Sequence, residues 1–272
     1  MLSGFGPQTD GPRVSELSYT PVKGTRLVHP EAVEVDAHGV RDDRLFHVVA
    51  AARGLQLDAG RSALAPVEPE WDRESGVLRL RMPGGEVAEG RVELGAELTG
   101  IVGWDGRRPL AGREVLGPWS AALSALLGEP VGLAMVSDAR RAVDVGPVTL
   151  VSEASVARLE REVGAPLGAP RLRMNLLLAG LSEHAEDTWY DKRIAVGECV
   201  LRITGPVPRC VVVTRDPRTG RRDADVLRAI IRYRPPVERR LGDPVRAPFG
   251  VYAEVERPGR VAAGDAVVLD PA

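Results

Sequence analysis

The sequence predicts a mainly β chain with a few helices, an α+β fold in two units. Two observations carry that prediction. Short alternating runs recur through the first hundred residues at a spacing of roughly ten, the pattern of a barrel or sandwich, with no long helix among them. Beyond residue 118 strands still predominate, but three stretches with helical spacing and end signals stand between them. A chain of 272 residues with 44% hydrophobic content can bury the core of one large or two modest domains.

Taken in order, EAVEV (31–35) alternates and LFHVVA (45–50) is a short apolar run. GVLRLRMPGG (76–85) sets Leu78, Leu80 and Met82 against Arg79 and Arg81, then turns at Pro-Gly-Gly. VELGAEL (92–98) is a further short strand, and the glycine- and charge-rich GWDGRRPLAGREVLG (103–117) is expected to cross between the two units. PWSAALSALLGEP (118–130) reads as a short helix opened by Pro118 and closed by Gly128, followed by a strand-like VGLAMVS. The clearest helix is SEASVARLEREVG (152–164), with Ser152 as N-cap, Val156, Leu159 and Val163 on one face, and Gly164 past its end. RLRMNLLLAG (171–180) is expected to be a strand, and RIAVGECVLRITG (193–205) two strands around Gly197. ADVLRAIIRYR (224–234) is expected to be a helix stopped by Pro235-Pro236; FGVYAEVE (249–256) and AVVLD (266–270) close the chain as strands, with PGRVAAGD between them.

Composition removes several functions. With 36 basic and 38 acidic side chains the net charge is −2, which argues against a nucleic-acid binder. Two cysteines build no disulfide framework and suit a reducing, cytoplasmic setting. MLSGFGPQTDGP lacks a basic n-region and an apolar h-region, so residues 1–11 are expected to be a flexible tail rather than a signal peptide. No apolar run reaches the about 18 residues of a membrane span. His29, His38, His47 and His184 show no zinc spacing, and nucleotide-binding and nucleophile-elbow motifs are absent. A [2Fe–2S] cluster needs four suitable ligands, commonly cysteines, and the chain has two, so any electrons are expected to come from outside it.

The candidate chemistry centres on PVPRCVVVTRDPRTGRR (206–222). Pro206 and Pro208 stiffen the approach to Cys210, and Arg209 precedes it, a setting that favours a thiolate; the three valines that follow suit a small buried hydrophobe equally well. Cys199 falls inside an alternating strand and reads as structural. If 171–180 is a strand, Arg171, Arg173 and Asn175 share one face, either solvated or arranged to clasp an anion. Lys23 in TPVKGT and Arg44 in GVRDDRLF are further cations beside turn residues.

Seven stretches, in order, resemble the family of MOSC proteins that carry an N-terminal β-barrel domain, the family of the molybdenum cofactor sulfurase C-terminal domain and the mitochondrial amidoxime-reducing component. VSELSYTPVKG resembles its opening strand and "YPVKS" turn; HGVRDDRLFHVV resembles "GLxGDRxW"; LVSEASVARL resembles "LLSDASLADL". RLRMNLLLAG resembles "RFRPNIVI", AEDTWYDKRIAVGECVLRIT resembles "AEDSWxxLxIGDVxLRV", and PVPRCVVVTRDPRTG resembles "PCxRC" and the following "TTVDPxTG". PFGVYAEVERPGRVAAGDAVVL resembles "FGxYxxVxxPGxIxVGDxVxL".

The resemblance implies two β-barrel-like lobes, an N-terminal MOSC β-barrel domain over 12–102 and a MOSC domain over 118–270, with a molybdenum cofactor (Mo-molybdopterin) in the cleft between them. Cys210 aligns with the cysteine that ligates molybdenum. Arg173 and Asn175 align with the Arg and Asn of "RPN", and with Lys23, Arg44, Arg171 and Arg209 they would surround the pterin and its phosphate. Ser152 and Glu153 align with "SD" and are expected to line the cleft. The implied activity is reduction of N-hydroxylated compounds, with electrons from a separate ferredoxin or flavoprotein. Two alternatives stay open: a sulfur carrier that takes a persulfide on Cys210 from a cysteine desulfurase, and a non-catalytic cofactor-binding protein. Neither nucleic acid nor membrane is an expected partner. The departures from the family strings are Val207 for the first cysteine of "PCxRC", Gly24 for serine, Met174 for proline, Glu153 for aspartate, and QLDA (56–59) for "LTQR".

Overall fold

The computed structural model describes residues 11–50, 55–57, 61–102, 109–136, 145–238 and 244–269. It shows the expected mainly β architecture with helices at the margins. The first lobe is a closed barrel of five strands in the order Pro109–Leu116, Val131–Val136, Phe46–Ala50, Leu55–Leu57 and Glu93–Val102. FHVVA at 46–50 is buried at every position, because both of its edges are paired and its faces meet the barrel interior and the packed shell. A meander of Glu68–Asp72, Val77–Arg81 and Val87–Arg91 turns Leu78 and Leu80 into this core. Its Arg79 faces outward between Glu89 (2.7 Å) and Glu70 (3.0 Å). Helix α1 (Trp119–Leu127) buries Trp119 and Leu123 in the same core, and Trp119 Nε1 donates to Leu78 O at 3.2 Å.

Two sequence expectations change here. The segment 103–117, expected to cross between units, contributes the strand Pro109–Leu116 to the barrel; residues 103–108 lie outside the described residues. Helix α1 and the strand Val131–Val136, expected with the second unit, belong to the core of the first. The cause is apolar burial: the indole of Trp119 and the side chains of Leu123, Val131 and Leu133 fill this core.

The second lobe is a seven-stranded sheet in the order Arg13–Leu17, Leu176–Ala179, Val148–Ser152, Pro248–Arg257, Cys199–Pro208, Arg193–Val196 and Val267–Leu269. Its two edges meet, through the bridge Arg13↔Ala266 and the bonds Val14 N–H to Asp265 O (2.9 Å) and Val267 N–H to Pro12 O (2.7 Å), so the sheet is nearly closed. Leu17, Leu150, Leu178, Ile194, Leu201, Ile203 and Val251 form its core. PGRVAAGD, read as a connection, contains the strand Gly259–Ala262, which pairs with Ala32–Asp36. That pairing carries Val33 and Val35 into the second lobe's core although they precede the barrel strands in sequence. Outside the sheet, α2 (Glu153–Val163) and α3 (Val226–Tyr233) pack through Val156, Leu159, Val226 and Ile230. Ser152 caps α2 as the sequence indicated, its Oγ accepting from Ser155 N–H at 3.1 Å, and α3 ends before Pro235.

Candidate functional site

The expected strand at 171–180 begins only at Leu176. Ala169–Leu172 is a 3-10 turn, and Arg173 has the left-handed φ of 53°. Pro170 supplies no N–H for a ladder, so the chain turns before it pairs. Arg171 and Arg173 therefore do not share a strand face. Arg171 is buried, at 4% exposure, and forks the Asp223 carboxylate at 2.7 and 2.9 Å. Its Nε–H is buried and has no acceptor.

Asn175 joins the lobes. Its Oδ1 accepts from the Thr149 N–H (3.0 Å) and hydroxyl (2.9 Å), while Nδ2 donates to Ser18 O (3.2 Å) and to Asp43 Oδ2 (3.1 Å). Asp43, buried at 1% exposure, also accepts from Thr20 N–H at 3.0 Å and pairs with the Arg44 guanidinium. Arg44 has φ 54° and Lys23 is buried, with their backbones held by Thr20 O and Phe46 O at 2.7 and 2.9 Å. Asp43, Ser18 and Thr149 were not singled out from the sequence. Gly24 has φ 95°, a conformation that disfavours any side chain, which accounts for glycine where the family string has serine.

Between the lobes lies a cavity of about 300 Å³ counting its open mouth. Gly24 and Ala65 line it from the first lobe's side, and Arg171, Arg173, Val212 and Arg215 from the second lobe. The 3-10 turn Val211–Thr214 sets this wall, and Cys210 is its N-cap. Cys210 is exposed, with Val211 beside it also open to solvent. The guanidinium of Arg209 turns back to Leu172 O and, at 3.3 Å, to Met174 Sδ. Cys199 is buried; its thiol donates to Gly259 O at 3.2 Å, and burial foremost pushes it up to about 11. Among the described residues no cluster of His, Cys, Asp and Glu could by itself hold a metal ion, so a metal at Cys210 would bring its other ligands with it.

Of the expected site residues, Arg171 and Arg173 line this cavity, while Cys210, Lys23, Arg44, Asn175, Arg209, Ser152 and Glu153 are not among its lining. Ser152 is fully buried, its Oγ 2.6 Å from that of Ser155, and its N–H donates to Glu186 Oε1 at 3.3 Å. Burial raises the Glu186 carboxyl above its usual range, opposed by its hydrogen bonds. Glu153 is exposed in the first turn of α2. Of the QLDA segment, Leu57 ends a barrel strand and residues 58–59 lie outside the described residues.

The cavity's seat depends on one close approach. Gly220, with φ 70°, closes the turn that begins at Asp216, and a Cβ there would stand 1.9 Å from Ser62 O of the first lobe. Gly220→Ala is expected to destabilise the fold by about 1–3 kcal/mol, from the left-handed φ and the forced backbone shift together. A thermal midpoint equal to that of the parent would contradict it.

The MOSC N-terminal beta barrel domain model matches residues 11–110, and the MOSC domain model matches residues 138–268. Mitochondrial amidoxime-reducing component 1 of Homo sapiens is 33% identical over 130 residues, covering 46% of this chain and 37% of that protein. Molybdenum cofactor sulfurase of Caenorhabditis briggsae is 31% identical over 130 residues, 46% of this chain and 17% of that protein. The chain thus spans well under half the length of either relative. Among solved structures, the YUAD protein from Bacillus subtilis superposes with a TM-score of 0.45 at 12% identity, covering 94% of this chain and 93% of that one. Between them the two domain matches take in most of the sequence, and the chain belongs to the MOSC family, with a MOSC domain behind a MOSC N-terminal barrel.

Proposed function

We propose that this protein binds a molybdenum cofactor in the cleft between its lobes, with Cys210 as the thiolate on the metal, and reduces N-hydroxylated compounds. One observation carries the reading: an exposed thiol caps the turn whose Val212 and Arg215 neighbours wall an arginine-lined interlobe cavity. The donor set fits the group. A thiolate suits a soft, sulfur-rich metal centre, and the buried Arg171 Nε–H, without an acceptor, fits an anionic oxygen. Arg173 adds a second cation to that wall, Lys23 is buried next to Gly24 of the facing wall, and Asp43 orients Arg44. Arg209 acts as a positioning residue, tying the Cys210 turn to the backbone at Leu172. Asn175, whose polar atoms are taken by Thr149, Ser18 and Asp43, holds the two sides of the cleft in register.

When bound, the cofactor supplies two-electron redox chemistry, by which an N–OH group, two electrons and two protons give N–H and water. The electrons come from a separate ferredoxin or flavoprotein in a reducing, cytoplasmic setting. The names of the relatives, amidoxime-reducing component and molybdenum cofactor sulfurase, support this reading. Its test is the molybdenum content per chain after purification from a cofactor-competent host, with amidoxime reduction by a chemical donor as the second readout. Protein that stays metal-free when cofactor is supplied overturns it.

The exposure of Cys210 favours one second reading, because a sulfur carrier must meet its donor protein's cysteine at the surface. Incubation with a cysteine desulfurase and cysteine would then leave Cys210 heavier by about 32 Da, as a persulfide. An unmodified Cys210 rejects that reading.

A further inference from the structure

We propose that the outward face of α3, with the turn before it, is the docking surface for a small acidic electron-carrier protein. The proposal rests on the reading that this chain receives its electrons from a separate donor, and it names where that donor sits. Residues 215–234 hold seven arginines against three aspartates, in a chain whose net charge is −2. All three aspartates are engaged. Asp216 Oδ1 accepts from Thr219 N–H at 2.7 Å, and from the Thr219 hydroxyl and Arg218 N–H at 3.0 Å each. Asp223 is forked by Arg171, and Asp225 meets Arg222 at 2.9 Å and Arg228 at 3.8 Å. No acid among the described residues pairs with the side chains of Arg218 and Arg221, both exposed. The surplus positive charge therefore stands on this face rather than being cancelled within it.

Helical spacing extends the patch. Arg228, Ile231 and Arg232 stand at i, i+3 and i+4, opposite the buried Val226, Ala229 and Ile230. Ile231 is 56% exposed, an apolar side chain among arginines, which is the composition of a protein interface. A nucleic-acid backbone has no use for it, and a bilayer would take the apolar face of α3, which is already packed into the core. The face also lies where electrons are needed. Val213, in the 3-10 turn that the exposed Cys210 caps, shares that core with Val226 and Ile230, so α3 flanks the thiol's turn. Pro217 lines the interlobe cavity, and Arg218 is the next residue. Attraction between this face and an acidic carrier speeds encounter, and a contact made mainly of exposed charges releases the carrier afterwards. A one-electron carrier is oxidised at each encounter, so two encounters supply the pair that reduction of one N–OH group consumes.

Surface-plasmon binding of the full chain to an acidic [2Fe–2S] ferredoxin and to a flavodoxin tests this, and it needs no bound cofactor. At least one carrier is expected to bind in about 0.01 M salt and to be released in about 1 M, where the Debye length falls from about 30 to about 3 Å. The triple variant Arg218→Glu, Arg221→Glu, Arg228→Glu is expected to weaken that binding about tenfold or more. Arg79→Glu, Arg81→Glu, Arg91→Glu, which changes the net charge equally on the first lobe's meander, should bind as the parent does. Arg218, Arg221 and Arg228 are exposed, and an unchanged unfolding midpoint shows that the fold is kept. A parent that binds neither carrier, a patch variant that binds as the parent does, or a meander variant equally weakened overturns the proposal. So does capture of DNA or of anionic vesicles through the same three arginines in place of the carriers. Carrier binding through these arginines in a chain that never retains molybdenum would remove the cofactor reading alone. Loaded protein that reduces amidoximes with a chemical donor, and whose carrier binding ignores the three substitutions, would remove this proposal alone.

Discussion

Asn175→Ala is expected to lower the unfolding free energy by about 3–5 kcal/mol, because a buried group left without its partner costs about 1–3 kcal/mol and this substitution strands several at once. The Thr149 N–H and hydroxyl lose their acceptor, and Ser18 O and Asp43 lose a donor. Asn175 is 3% exposed, so water enters only if the lobes part. Asn175→Asp should be worse still near neutral pH. It keeps the acceptor for Thr149 but sets a carboxylate oxygen where Nδ2 now lies, 3.1 Å from Asp43 Oδ2. The sign of the pH dependence follows. The introduced carboxyl ionises near its ordinary value of about 3.9 in the unfolded chain, while the fold, with a second carboxylate in contact, favours its protonated form. Between those two points the folded state holds more protons, so stability falls as pH rises from about 4 and recovers on acidification. Urea unfolding at about pH 5 and about pH 8 should show the two variants converging at the lower pH. An alanine variant within about 0.5 kcal/mol of the parent, the range of ordinary surface substitutions, would mean that Asn175 does not join the lobes.

That same asparagine shows where sequence reading stops. Its place beside two arginines was visible, but as a side chain turned toward a ligand, whereas all its polar atoms are held within the protein. The partners that hold it, Asp43 and Ser18, lie 132 and 157 residues away, and no local pattern announces them. Asp43 in VRDDR looks like one charge in a solvated run; the Thr20 N–H, the Arg44 guanidinium and the Asn175 amide make its burial tolerable. What is encoded within a few residues was legible. Ser152 and Gly164 bound α2 as their chemistry dictates, and Val77–Arg81 alternates as drawn. What depends on which strand finds which partner was not. EAVEV reads correctly as a strand, yet its pairing with Gly259–Ala262 places it in the other lobe's core. The strand expected at 171–180 starts only at Leu176, after a 3-10 turn that contains Pro170, a stop signal immediately before the segment. Arg215 was passed over because an arginine in a polar turn has a common explanation in solvent, and only the fold turns it toward Arg171 and Arg173.

Cys210→Ser is expected to abolish molybdenum retention and N–OH reduction while leaving the fold intact. Removing even an outer-shell partner costs about 10–100-fold in metal affinity or activity, and loss of a thiolate ligand should exceed that range. The fold should not suffer, since Cys210 is exposed and caps its turn without a side-chain hydrogen bond. Cys199→Ser supplies the opposite case. That thiol is wholly buried in the apolar core, burial foremost holds it up at about 11, and it donates to Gly259 O. Serine there buries a stronger dipole in an apolar core, which should cost about 1–3 kcal/mol of stability and leave metal content per folded chain unchanged. The pair separates chemistry from packing: one variant loses metal at constant unfolding midpoint, the other loses midpoint at constant metal. Elemental analysis and thermal denaturation of both proteins read the two effects independently. A Cys210→Ser protein that carries molybdenum and turns over as the parent does would show that this thiol is not the ligand. The proposed cofactor site would then have to lie elsewhere than at Cys210.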